Sequence, residues 1–163
     1  MRRVYLPTTV PALARAHATG SFAGSRDAHS VTGVIREWYV EGDLEELEYV
    51  AMTEAAGASL HLLAADPDAP RRRVVVAADV AESAVTDVPD DRFRSAVRLS
   101  ADVEVSAVAS VHVDEDRAEK AVAEAIIALP AADAGDDDAQ FVVDEAEAIE
   151  LLWYDVTEIP DLI

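Results

Sequence analysis

Between Val97 and Glu104 the chain alternates strictly: Val97, Leu99, Ala101 and Val103 against Arg98, Ser100, Asp102 and Glu104. That period of two predicts a strand with one wet or pocket-lining face. Arg72–Val80 differs, because Val74, Val75 and Val76 are apolar in succession and predict burial on both faces. Arg3–Thr8 and Val108–Val113 read as further strands. Ile149–Thr157 reads as a last one, apolar on both faces at Leu151, Leu152, Trp153 and Tyr154.

Elsewhere the spacing is helical. Pro11–Ala18 predicts a helix with Thr9 as its N-cap and Gly20 as its stop. Leu44, Leu47, Ala51, Ala58 and Leu62 form the buried stripe of a helix running from Leu44 to about Ala65. Asp43 caps it, Glu45, Glu46 and Glu48 complement its dipole, and Asp66-Pro67-Asp68-Ala69-Pro70 ends it. A third helix spans Glu115–Leu129, capped by Asp114 and stopped by Pro130, with Ala118, Val122, Ala125 and Leu129 toward the core. Asp116 and Lys120, four apart, pair on its surface. Residues 19–33, with Gly20, Gly24 and Gly33, read as a loop, and 131–147 as an acidic connection. This order predicts an α+β fold in one domain over residues 1–163. It is a mainly antiparallel sheet with helices on one side, on a ferredoxin-like βαββαβ plan with an extra helix.

Charge narrows the partners. The chain has 33 acids against 13 bases, a net charge of −20, and such a surface repels phosphate backbones and anionic membranes. The basic run Arg71-Arg72-Arg73 is flanked by acids, so nucleic acid and membrane partners are not expected. The hydrophobic share of 51% separates the chain from acidic disordered tails. Much of that share is alanine and valine, which predicts a core of small side chains. The absence of cysteine excludes disulfides, thiolate zinc and cysteine nucleophiles. With no stretch that reads as a signal peptide or a membrane span, a cytoplasmic location is expected. Twelve arginines to one lysine, and no asparagine, point to high-GC coding bias as the source of the acidity, with salt adaptation as the other cause.

His112 and Asp114, two apart at a strand end, are spaced for a metal pair or an acid–base pair, although helix capping alone accounts for Asp114. Arg98, Ser100, Ser110 and His112 would share the less apolar sheet face and make a ligand pocket there. Trp38-Tyr39 and Trp153-Tyr154 hold both tryptophans, and such aromatics serve interfaces and pockets as well as cores. For Trp153, in a strand read as buried, core packing is the simpler expectation.

Other motifs fail on spacing. Glu54 and His61 lie on one helix face, but Gly57 stands where a Glu-x-x-His metal motif needs its histidine. Asp133–Asp138 lacks the alternating acids of a calcium loop, and Gly20–Ser25 lacks the lysine of a phosphate loop. Arg71–Arg73 would clamp an anion only if its own acids did not claim it. No metal site and no cofactor is indicated.

Four segments carry a resemblance: Arg3-Val4-Tyr5-Leu6-Pro7; Arg36-Glu37-Trp38-Tyr39 with Glu45-Glu46-Leu47-Glu48-Tyr49; Ser110-Val111-His112-Val113-Asp114; and Trp153-Tyr154 with Glu158-Ile159-Pro160-Asp161-Leu162. Across its length the chain resembles an uncharacterised family of small single-domain proteins widespread in high-GC Gram-positive bacteria. The resemblance implies one domain and a coding-bias origin for the composition, and it implies no activity. The leading expectation is therefore a non-catalytic interaction or accessory domain that binds a protein or a small ligand, or forms a homodimer. The alternative is a small enzyme using His112 as acid or base and Arg98 as anion clamp. A weaker alternative is an acidic mimic of nucleic acid.

Overall fold

The computed structural model describes residues 1–23 and 26–163. Its centre is β1 (Arg2–Thr8), paired antiparallel with β4 (Val74–Val80) on one side and β3 (Arg26–His29) on the other. Beyond β4 lie β8 (Val108–Val113) and β9 (Leu152–Tyr154); beyond β3 lie β6 (Ala96–Leu99) and β5 (Val85–Asp87). The seven-stranded order is β5-β6-β3-β1-β4-β8-β9, antiparallel at every pairing among the described residues. A two-stranded ribbon joins β2 (Ser21–Phe22) to β7 (Val103–Glu104). The α+β class with a mainly antiparallel sheet is thus as expected.

The helices, however, cover both faces. The consecutive valines of β4 require this, because Val75 and Ala77 point one way and Val74 and Val76 the other, all buried. On the Val75 face lie α2 (Gly33–Trp38) and α3 (Leu44–Ala64), bringing Ile35, Leu47, Ala51 and Ala55 against Tyr5. On the Val74 face lie α1 (Val10–Thr19) and α6 (Ile159–Leu162), bringing Leu13, Ala16, Ile159 and Leu162 against Val4 and Leu6. A third cluster joins Leu60 and Leu63 of α3 to α4 (Glu119–Asp133) and α5 (Asp137–Glu147).

The ferredoxin-like plan is met only in part. Strands β3 and β4, joined through α2 and α3, flank β1 as one split β-α-β unit. No second unit forms around β8 and β9, because α4 and α5 pack on each other and return the chain beside its starting strand.

Several boundaries move. Thr9 caps α1, Gly20 ends it at φ 89°, and Asp43 with Glu46 makes a capping box at α3. The stripe of α3 is wider than predicted: Leu44 and Leu62 are exposed while Ala55, Ser59, Leu60 and Leu63 are buried, because the helix packs on the sheet and on α4 together. The segment 97–104 breaks into β6 and β7. The acidic stretch 131–147 is largely α5, with Asp136 as its N-cap rather than a loop residue. Pro130 lies inside α4, near enough to its end that one lost ladder bond is tolerated.

Candidate functional site

The residues expected to act together are spread across the sheet. Register places Arg98 opposite Asp27, and Val75 opposite His112, on one face. Strands β6 and β8 are four positions apart in the sheet, however, so Arg98 and His112 stand about 19 Å apart at normal strand spacing. A shared His112–Arg98 site is excluded. His112 is half-buried and bonds Ser110 at 2.9 Å, and burial, then the nearby Arg3 charge, hold its imidazole below the usual range. Ser100 lies past the end of β6, exposed, beside the Ala84 carbonyl.

Asp114 neither caps a helix nor faces His112. It is fully buried, with Arg73 Nε and Nη2 donating to its two oxygens at 2.8 and 2.7 Å and the Arg73 backbone N–H donating at 2.8 Å. Arg73 also reaches the Ile149 carbonyl, tying the chain after α5 to the start of β4. Arg71 donates to three carbonyls around the end of α3, and Arg72 to the Asp114 carbonyl. The arginine run is structural. Asp116 faces Arg72 at 3.9 Å instead of pairing with Lys120.

The aromatic pairs also divide. Trp153, expected in the core, is 61% exposed because β9 is a three-residue edge strand, while Tyr154 points the other way and packs on the core. Trp38 ends α2 at 62% exposure with the Arg94 guanidinium 3.8 Å from its ring centroid, and Tyr39 follows it as the helix C-cap. Of the segment Gly20–Ser25, Gly24 and Ser25 lie outside the described residues.

The most developed site lies between α3 and the β3–β6 end of the sheet. A cleft of about 520 Å³ opens there, walled by Ala58, Leu62, Pro89 and Phe93, with Arg98 among its lining residues. Arg98 pairs with Asp27 at 2.8 Å, both well exposed. His29 also lines it, buried from α3's side of the sheet and edge-on to Phe93 at 5.1 Å. Its Nδ1 lies 2.7 Å from Ser95 Oγ, and Ser95 is fully buried. Ser95 Oγ in turn donates to a Glu54 carboxylate oxygen at 2.5 Å. The same carboxylate accepts the backbone N–H of Ser95 at 2.8 Å and of Arg94 at 3.2 Å.

These contacts assign the protons. A carboxylate only accepts, so the single hydroxyl hydrogen of Ser95 goes to Glu54. Ser95 Oγ is then an acceptor toward His29, and Nδ1 carries the ring hydrogen. Among the described residues none hydrogen-bonds Nε2. His29 lines the cleft with a ring that is 3% exposed, which leaves Nε2 as the ring atom free to meet a ligand there. Burial holds the His29 imidazole down to about 4, against smaller opposing effects of Asp90 and Asp27, so the ring is neutral at pH 7. A neutral ring nitrogen in an apolar cleft can accept a hydrogen bond or a proton. Ser95, without solvent access, cannot act as a nucleophile.

The three residues are 41 and 66 positions apart, and no spacing rule connects them. His29 sits in a segment that reads as loop, and Glu54 was paired by helical periodicity with His61. In the fold His61 instead faces Asp133 at 3.2 Å. Among the described residues no group of three or more His, Asp or Glu side chains could hold a metal ion.

No helix is long and apolar enough to cross a membrane. Searches of curated proteins and of solved structures return no match. Residues 2–163 match the model of a family of unknown function, DUF6912, and the chain belongs to that family.

Proposed function

We propose that the chain is a binding domain for a small organic ligand seated in the cleft between α3 and β6. One observation carries this: neutral His29, its Nε2 without a hydrogen bond among the described residues, lines a largely apolar cleft of about 520 Å³, a size usual for small-molecule sites. Leu62, Pro89 and Phe93 suit a flat apolar body, and His29 accepts one hydrogen bond. Arg98, whose pairing with Asp27 is exposed and therefore weak, turns to an anionic group. We place this accessory role in the cytoplasm, and the arginine-rich, lysine-poor composition supports a high-GC Gram-positive origin.

A thermal-shift screen of small aromatic acids and azoles tests the reading. A ligand at a hundred times its Kd stabilises by about 2.7 kcal/mol, and Ala58→Phe, which fills the cleft, abolishes that shift. Stabilisation indifferent to Ala58→Phe, or none from any compound, counts against the cleft. A second reading, contact with another protein or a second copy, is favoured by Val34, Trp38, Val40 and Leu44, all more than half exposed around the α2–α3 corner. Sedimentation of wild type and Trp38→Ala at increasing concentration separates the two.

A further inference from the structure

We propose that Glu54, Ser95 and His29 form a proton relay through the wall of this cleft, which makes its ligand an O–H or N–H acid. This rests on the ligand reading above. The hydrogen bonds set the resting arrangement: Ser95 donates to the Glu54 carboxylate, Nδ1–H donates to Ser95, and Nε2 has no partner among the described residues. A bare ring nitrogen in an apolar cleft selects a ligand that donates. A ligand offering only acceptors leaves Nε2 facing another lone pair, and the site rejects it.

The relay also gives the proton somewhere to go. As the ligand's O–H or N–H bond breaks and its proton bonds to Nε2, the Nδ1 hydrogen passes to Ser95 Oγ. The Ser95 hydroxyl hydrogen passes to Glu54 at the same time. The ligand ends as an anion, Glu54 as a neutral carboxylic acid, and His29 as the neutral Nε2–H tautomer. The ring never has to hold a positive charge in a place where burial disfavours one.

Glu54 is only half-buried and lines a second cleft of about 370 Å³, beside His61, Arg92 and Glu147. Phe93 lines both clefts. The relay therefore joins the ligand cleft to a second cleft lined by His61, Arg92, Asp133 and Glu147, where the proton leaves. Ser95 and Glu54 are positioning residues in this scheme, and only His29 touches the ligand.

The test needs no ligand. Nitrogen-15 NMR of histidine-labelled full-length chain at pH 7 reads which ring nitrogen of His29 carries hydrogen. The expected result is Nδ1–H, favoured about tenfold or more by its charge-backed hydrogen bond. Glu54→Ala frees the Ser95 hydroxyl to donate to Nδ1 and moves the hydrogen to Nε2. In Glu54→Gln, which keeps the shape but cannot take a proton, exchange of the ring hydrogen with solvent slows by about tenfold or more. A wild-type ring protonated on Nε2 overturns the relay, as does an exchange rate unchanged in Glu54→Gln. Either failure leaves the Ala58-dependent ligand test standing. Failure of that test with the tautomer confirmed overturns the ligand reading instead.

Discussion

Two polar groups are sunk into this molecule, one at each end of the sheet, and they are finished differently. At the β4–β8 end, Arg73 and Asp114 close on each other: two side-chain bonds, a backbone bond and the Ile149 carbonyl give both charges partners within the fold. At the β3–β6 end, Glu54, Ser95 and His29 form a chain whose last atom stays open. A closed group fixes geometry, here the register of β4 on β8 and the return of the chain after α5. An open one fixes little by itself and leaves a ring nitrogen on a cleft wall, which suits a binding role better than a packing one.

Breaking the closed end has the largest expected effect. Asp114→Ala strands a buried guanidinium and destabilises by about 3–5 kcal/mol in urea unfolding. Replacing both partners, Arg73→Met with Asp114→Leu, recovers most of that loss. A small effect of Asp114→Ala would erase the contrast between the two ends.

The open end responds to pH. Burial holds His29 at about 4, against about 6.5 in the unfolded chain, so on acidification the unfolded chain takes up this proton first. Stability is flat above pH 6.5 and falls between 6.5 and 4, by about 3 kcal/mol in total from this group. Urea midpoints across that window show the decline in wild type and lose this part of it in His29→Gln. Equal slopes in both proteins would mean that the ring is not held neutral.

Removing the middle of the chain costs less. Ser95→Ala leaves Nδ1–H and a carboxylate oxygen short of one partner, for about 1–3 kcal/mol, read from the same unfolding curves. Arg98→Ala is smallest, within about 1 kcal/mol of wild type, since its pair with Asp27 is exposed. It nevertheless weakens any anionic ligand that the thermal-shift screen finds.

Much of the scaffold was legible because its signals are local. Thr9, Asp43 and Gly20 mark helix ends by chemistry that acts within four residues, and the valines of β4 announce double burial. Strand β3 was not legible. Arg26-Asp27-Ala28-His29 offers one aliphatic residue, and its place beside β1 comes from its partners. Helix α5 was hidden by its own cap, since Asp136, Asp137 and Asp138 read as loop until the helix behind them is known. Trp153 was misplaced because four successive apolar residues imply two covered faces, and an edge strand has fewer neighbours to cover them. The candidate site was the least legible part. His29, Ser95 and Glu54 come from three elements, and what unites them is the direction of two hydrogen bonds.

The sheet begins and ends with its shortest full members, β5 and β9, each of three residues. An exposed sheet edge is a template on which another chain can lengthen the ladder, and a growing stack of such additions is the first step toward fibres. Three residues present too few free backbone groups to hold an added strand. The five longer strands are kept away from both rims, which limits such additions in a molecule rich in valine.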